Sequence, residues 1–240
     1  MSHAAPLHLI PVGLGESPPD RWLPAEVQAL TRGLTIYIAE NAKTARAFLK
    51  LIGTTTPLQE ITIHTLDKRG NKPGEIREWL KPALAGQAIG LVSEAGCPAV
   101  ADPGALVVAM AHDMGIPVQP HVGPSSILLS LMASGLDGQQ FVFHGYAPVD
   151  SAARAKQLKQ WEGASQSLKQ TQILIETPYR NQAMFATLLQ SLKPGTRLCV
   201  ARGLTTPQEW VNTATIEQWR ERRAPNLDKI PCIFLFLAGR

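Results

Sequence analysis

Hydrophobic and polar positions in the first half of the chain follow two alternating patterns. Short apolar runs predict strands, and the segments after them carry apolar residues at helical spacing. The predicted strands are residues 7–12, 34–39, 61–66, 89–92 and 116–119. Helices are expected to begin near Pro24, Asn41, Pro73, Ala105 and Ile127. This alternation indicates a mainly parallel α/β sheet, whose ligand lies at the carboxyl ends of the strands.

The second half of the chain has a different pattern. Strands are predicted at residues 141–146, 172–176, 197–201, 209–211 and 230–237. Longer polar stretches separate them, including a basic segment at residues 150–169, and helices are expected after Thr177 and at 215–220. The change occurs near Gly123. We therefore predict two α/β domains, an N-terminal domain of residues 1–122 and a C-terminal domain of residues 123–240.

Composition narrows the class of protein. With 240 residues, 45% of them hydrophobic, the chain can bury a sizeable core. A net charge of +4 is compatible with a nucleic-acid or other anionic partner, and equally with a solvated surface. No segment resembles a signal peptide or reaches the ~18 apolar residues of a membrane helix, so we expect a soluble cytoplasmic protein without a membrane partner.

Cysteine and histidine spacing gives no support for a metal site. Cys97, Cys199 and Cys232 lie far apart and form no CxxC pair, which disfavours disulfides and a cysteine-built zinc site. The histidines follow no ligand spacing. Those considered are His64, His112, His121 and His144. No metal is expected.

Candidate chemistry concentrates between Gly90 and Ser126. A long turn of small residues, Ser93–Gly104, joins a strand to a helix, and Gly123–Ser126 follows the next strand. Two such turns side by side form a pocket walled by backbone, suited to a nucleoside or an amino-acid moiety. The turns lack the lysine of a phosphate loop, which disfavours ATP and GTP. No serine lies in a GxSxG elbow, which disfavours a hydrolase.

The residues of the first turn carry a family resemblance. Leu91-Val92-Ser93-Glu94-Ala95-Gly96-Cys97-Pro98, continuing to Asp102-Pro103-Gly104, resembles the signature of the tetrapyrrole methylase superfamily, the class III S-adenosylmethionine-dependent methyltransferases. Within it, the chain is most similar to the branch that methylates a ribose 2′-hydroxyl of small-subunit ribosomal RNA. Collinear matches occur at Leu9-Ile10-Pro11, Ala39-Glu40-Asn41, Gly123-Pro124-Ser125-Ser126, Ala133-Ser134-Gly135-Leu136, Glu176-Thr177-Pro178-Tyr179-Arg180 and Ala201-Arg202-Gly203-Leu204-Thr205.

The resemblance implies a fold and a set of cofactor contacts. The fold is the two-domain class III α/β fold, with a mainly parallel N-terminal sheet, a mixed C-terminal sheet and a cofactor cleft between the domains, usually in a homodimer. The S-adenosylmethionine contacts implied are Leu14, Gly96, Cys97, Val100, Ser125, Ser126, Glu176, Thr177, Ala201 and Cys232. Many members carry Asp at the position of Cys97, so a carboxylate contact to the amino-acid portion is expected to be absent here while backbone contacts remain.

The acceptor is less constrained than the methyl donor. The ribosomal RNA branch carries Ile-Gly-Asn-Leu and Asp-Ile-Thr where this chain has residues 12–19, and His-Glu-His-Asn where it has His64–Lys68. Both segments are expected to border the acceptor pocket. RNA is the preferred acceptor, and two alternatives stay open. These are a methyltransferase for a tetrapyrrole-like small molecule, and a non-catalytic sensor or scaffold that binds S-adenosylmethionine.

Three side chains are candidates for the chemistry at the acceptor. Glu40 follows the second predicted strand and is the candidate general base that removes the proton of a ribose hydroxyl. Arg46 and Arg180 are candidates to hold an acceptor phosphate or carboxylate. The structural alternative is that Glu40 pairs with Lys43 or Arg46 on the surface.

Overall fold

The first half of the chain is built around one parallel sheet. In this computed structural model its strands are β1 (Leu7–Ile10), β2 (Ile36–Ala39), β3 (Thr62–Thr65), β4 (Ile89–Val92) and β5 (Val118–Pro120). They lie in the order β3-β2-β4-β1-β5, and every pair is parallel. All residues of β2 and β4 are buried, as continuous apolar runs in an interior parallel strand predict.

Four helices connect and cover these strands. They are α1 (Ala25–Gly33), α2 (Ala42–Ile52), α3 (Pro73–Leu84) and α4 (Ala105–Asp113). Sequence explains the bounds of α2, because the side chain of Asn41 caps its start by accepting from the backbone N–H of Lys43 at 2.9 Å. Gly53 ends it with a φ of 77°. The helix buries one apolar stripe, formed by Ala45, Phe48, Leu49 and Ile52.

The second half of the chain is built around a mixed sheet. Its strands are β6 (Phe141–Tyr146), β7 (Thr171–Glu176), β8 (Arg197–Arg202), β9 (Trp210–Thr215) and β10 (Cys232–Leu237), and its helices are α5 (Ser126–Ser134), α6 (Ser151–Leu168), α7 (Asn181–Ser191) and α8 (Ile216–Glu221). The order is β6-β7-β10-β8-β9, with only β6 and β7 parallel. A parallel sheet followed by a mixed sheet confirms the predicted fold class.

Helix α6 occupies the basic segment at residues 150–169, where no helix or strand is predicted from the sequence. It buries Arg154, Leu158, Glu162 and Ser165, which lie along one face of the helix. Three of the four are polar, so the core-facing stripe has no apolar periodicity. A carboxylate oxygen of Glu162 accepts from the backbone N–H of Lys193 at 2.8 Å and from the Thr196 hydroxyl at 2.5 Å. These hydrogen bonds offset the cost of burying a charged group.

The structure describes residues 4–67 and 71–239. The described chain divides into two compact units, Met1–Ser125 and Ser126–Arg240, and the predicted boundary after residue 122 lies three residues earlier. Lys68, the last residue of the predicted acceptor loop, lies outside the described residues. Among the helices described, none combines the length and apolar character of a membrane span.

Candidate active site

The loop after β1 is joined to the turn after β4. Val12 and Gly96 form an isolated antiparallel bridge, with N–H to C=O distances of 3.0 Å and 3.1 Å. Gly96 has a φ of 74°, a conformation that L side chains rarely adopt. A Cβ atom at Gly96 would lie 3.3 Å from Leu14 Cδ2 and 3.4 Å from the Pro124 carbonyl oxygen. The absence of a side chain therefore allows Leu14 and Pro124 to pack closely against the Gly96 backbone.

The turn after β5 meets the turn after β4, as the sequence predicts. Cys97 Sγ donates a hydrogen bond to the Pro124 carbonyl at 3.5 Å. Gly123 approaches Pro11 so closely that a Cβ atom would lie 2.2 Å from Pro11 Cβ. Loops that follow β1, β4 and β5 thus come together at the carboxyl edge of the sheet. Burial raises the pKa of the Cys97 thiol, so this side chain is neutral.

The turn after β4 holds its shape through one carboxylate. Ala99 and Ala101 have positive φ values of 66° and 58°, a conformation that costs an L-residue roughly 1–2 kcal/mol. Asp102 Oδ1 accepts from the backbone N–H of Ala99 at 2.8 Å and of Gly104 at 2.7 Å. Val100, between the two strained alanines, keeps 49% of its surface exposed. Its exposure makes it available to a ligand.

Glu40 lies beside acidic groups. Burial and the neighbouring Asp102 carboxylate raise the pKa of Glu40, and a hydrogen bond from the Glu94 backbone opposes that rise. Among the described residues, Glu40 forms no ion pair with Lys43 or Arg46, so the structure does not contain the alternative surface pair. Arg46 is exposed on α2.

Sequence reasoning missed two functional candidates, Glu94 and Asp102. Glu94 accepts a short hydrogen bond from the Thr44 hydroxyl and so joins the turn after β4 to the first turn of α2. Asp102 fixes the turn and influences Glu40. Both lie within the signature itself, but nothing in their spacing indicates that they approach Glu40.

In the second unit, the buried carboxylate of Glu176 forms an ion pair with the partly exposed Arg180. Glu176 Oε1 accepts from Arg180 Nη2 at 2.6 Å, from Arg180 Nε at 3.1 Å and from the Thr177 backbone N–H at 2.6 Å. The Glu176 side chain has no exposed surface, whereas that of Arg180 is 33% exposed. Glu176 Oε2 is buried and has no hydrogen-bond partner among the described residues. Arg180 is therefore committed to Glu176, and Glu176 keeps one free acceptor.

The remaining predicted residues of this unit lie on different faces of the sheet. Cys232 is paired across strands with Glu176 on β7 and Arg202 on β8, so these three side chains share a face. Ala201 precedes Arg202 on the strand, so its fully buried methyl group lies on the opposite face. Burial raises the pKa of Cys232 to about 12. Of the predicted cofactor residues on these strands, Glu176 and Cys232 therefore share a face of the sheet and Ala201 does not.

The predicted cofactor residues Ser125, Ser126 and Thr177 lie at the ends of regular elements. Ser126 is the first residue of α5 and is half-buried, as is Ser125 before it. Thr177 follows β7 directly. Among residues 4–67 and 71–239, no three His, Cys, Asp or Glu side chains are placed to hold a metal ion.

Comparisons with known proteins give one family match and several relatives. The profile of the Tetrapyrrole (Corrin/Porphyrin) Methylases matches residues 7–219. A ribosomal RNA small subunit methyltransferase I from Synechocystis sp. is 33% identical over 197 residues, covering 81% of this chain and 66% of that protein. One from Xylella fastidiosa is 32% identical over 161 residues, covering 66% of this chain and 55% of that protein. The chain thus spans less than two thirds of these relatives' length.

Solved structures share the fold at low sequence identity. The methyltransferase CobJ superimposes with a TM-score of 0.62 at 17% identity, covering 99% of this chain and 95% of that chain. A uroporphyrin-III-C-methyltransferase from Thermus thermophilus gives a TM-score of 0.54 at 16% identity, covering 97% of this chain and 92% of that chain. At these identities the similarity concerns the fold.

Proposed function

We propose, on the premise that the chain belongs to the tetrapyrrole (corrin/porphyrin) methylase family, that it transfers a methyl group from S-adenosylmethionine to RNA. Family membership confirms the resemblance carried by the signature after β4. The acceptor we favour is a ribose 2′-hydroxyl of small-subunit ribosomal RNA, in the cytoplasm. The names of the curated relatives support this choice over a small-molecule acceptor.

The observation that carries the proposal is the meeting of three loops at the carboxyl edge of the parallel sheet. The Val12–Gly96 bridge and the Cys97–Pro124 hydrogen bond join these loops through contacts within the chain itself. Open α/β sheets bind small ligands beside the loops at the carboxyl ends of their strands.

We propose cofactor contacts for each unit by itself. In the first unit they are Leu14, Gly96, Cys97, Val100 and Ser125. In the second unit they are Ser126, Glu176, Thr177, Ala201 and Cys232. The buried, unpartnered Oε2 of Glu176 suits a cofactor that carries hydrogen-bond donors, such as an ammonium group or ribose hydroxyls. The bound cofactor supplies an electrophilic methyl group on a sulfonium.

Glu40 is the proposed general base for the acceptor hydroxyl. Its raised pKa makes it a stronger proton acceptor than an ordinary carboxylate. Arg46 on the adjacent helix is proposed to bind an acceptor phosphate. Arg180 contributes to the same task only if the acceptor displaces it from Glu176.

A homodimer is proposed from the exposed face of α5. Leu128 and Met132 lie one turn apart on this helix and are 54% and 79% exposed. Association through this face would remove apolar surface from water. Light scattering of the purified protein measures the mass, and a monomer at micromolar concentration would contradict this part of the proposal.

The first experiments separate the cofactor from the acceptor. Calorimetry with S-adenosylmethionine is expected to give saturable binding, and its absence at high micromolar concentration would refute the methyltransferase assignment. Mass spectrometry of small-subunit ribosomal RNA from a strain lacking the protein is expected to show one missing ribose methylation. An unchanged map would exclude that acceptor and favour a small molecule.

The role of Glu40 has a direct test. Glu40→Gln is expected to lower kcat by a factor of about 100 or more while sparing S-adenosylmethionine affinity, since a general base typically contributes 10²–10⁴-fold. Glu60→Gln makes the same change at an exposed position of the first unit and is the matched control. Equal activity of both variants would remove Glu40 from the mechanism.

A further inference from the structure

The exposed face of α2 carries only positive charge. Lys43, Arg46 and Lys50 are exposed, and the segment Ala42–Ile52 contains no acidic residue. At 3.6 residues per turn these cations occupy an arc of about 60° and extend about 10 Å along the helix. They lie opposite the buried stripe of α2, so their positions are fixed by core packing.

Among the described residues, no carboxylate forms an ion pair with any of these three cations. The described residues form two ion pairs, Lys81 with Glu78 and Arg180 with Glu176, and neither involves α2. Arg32 adds a fourth positive charge at the far end of the helix, where its Nε donates to the Ile52 carbonyl at 2.9 Å. An uncompensated row of cations is the electrostatic footprint of a polyanion site.

The row starts next to the proposed acceptor base. Glu40 ends β2, Asn41 caps α2, and the Thr44 hydroxyl in the first turn binds Glu94 of the signature turn. The acidic residues therefore lie at the start of α2, and the cations extend away from them along the helix. A nucleotide chain with one ribose at Glu40 would meet successive cations as it leaves the site.

We propose that Lys43, Arg46 and Lys50 form a phosphate track that binds the RNA backbone flanking the methylated nucleotide. This inference rests on the proposed function, because it names where that function's substrate docks. Lysine and arginine contacts to phosphate fix the register of a nucleic acid without reading its sequence. The track thus supplies affinity and positioning, and selection of the methylated nucleotide lies elsewhere.

The salt dependence of RNA affinity tests the track. Each lost phosphate contact reduces the slope of log K against log salt concentration by about 0.7 on single-stranded RNA. Lys43→Gln/Lys50→Gln is therefore expected to reduce the slope by about 1.4 and to weaken binding of small-subunit ribosomal RNA. Binding is measured by filter retention between 50 and 200 mM salt, values at which such contacts dominate. Arginine at both positions is expected to restore the slope.

The matched control is Lys156→Gln/Lys159→Gln on α6. It removes the same charge from two exposed lysines of one helix in the second unit. The control is expected to lose much less slope than the α2 variant, because a general loss of net charge acts only weakly at these salt concentrations. If both double variants lose the same slope, or if the α2 variant loses none, the track is refuted.

Failure of the track is distinguishable from failure of the proposed function. S-adenosylmethionine binding is measured on the same preparations and is expected to be equal in wild type and both variants. If the wild-type protein binds the cofactor and RNA, and the α2 variant binds RNA with an unchanged slope, the proposed track is refuted and the proposed function stands. If the wild-type protein does not bind RNA, both the track and the proposed RNA acceptor are refuted. Circular dichroism melting excludes unfolding as the cause.

Discussion

Gly123→Ala tests whether the loops of the candidate site are as tightly packed as the structure shows. The added Cβ would lie 2.2 Å from Pro11 Cβ and 2.5 Å from Pro11 Cγ. Carbon atoms in packed interiors stay about 3.5–4.0 Å apart, so one loop must move by roughly 1 Å or more. Overpacking of this kind typically costs about 1–3 kcal/mol. Gly123 is not among the residues with positive φ, so the effect is steric.

The expected result has two parts. Urea denaturation is expected to show a loss of about 1–3 kcal/mol in the stability of the first unit. Calorimetry is expected to show weaker S-adenosylmethionine binding, because the turn that carries Ser125 must shift. Gly138→Ala is the control, since its Cβ meets nothing within 4 Å. If Gly123→Ala matches this control in both stability and cofactor affinity, the packing argument is wrong.

Three further predictions concern acidity and buried polar groups. His8 Nδ1 and His121 Nε2 lie 3.0 Å apart, and burial lowers the pKa of both rings. The folded protein therefore binds fewer protons than the unfolded chain, and its stability is expected to fall as the pH drops below 6.5. His121→Gln should reduce the difference in stability measured by denaturation at pH 5.5 and 7.5. Glu162→Ala leaves the Lys193 N–H and the Thr196 hydroxyl without their acceptor, and chemical denaturation is expected to show a loss of about 2–5 kcal/mol. Because the pKa of Glu40 is raised, the loss of kcat on acidification should begin at a higher pH than for an ordinary carboxylate. A kcat that stays constant down to pH 4.5 would contradict the role of Glu40 as base.

Sequence predicted the parallel sheet well because its strands are apolar throughout. Continuous burial of β2 and β4 requires apolar side chains on both faces, which produces a pattern visible without a structure. The stripe of α2 is equally direct, since Ala45, Phe48, Leu49 and Ile52 recur at helical spacing. Helix α6 lacked this pattern, because hydrogen-bonded polar groups stand where periodicity requires apolar ones.

The candidate site was predictable in its loops and less so in its side chains. Glycines and small residues at 90–126 identified both turns, because close backbone contact excludes larger residues. The approach of Asp102 to Glu40 depends on two left-handed alanines, which no local preference predicts. Similarly, the strand register places Ala201 on the opposite face of the sheet from Glu176 and Cys232. A match to sequence motifs does not indicate which face a residue lies on.

The bridge between Val12 and Gly96 has a consequence for the order of folding. It joins two loops that are far apart in the chain, and closing so large a loop costs entropy that the strands must first offset. The bridge is therefore expected to form only after β1 and β4 have paired. Mutations confined to this bridge should accelerate unfolding and leave the refolding rate nearly unchanged. The joined loops that follow β1 and β4 would then be the last part of the first unit to assemble and the first to open.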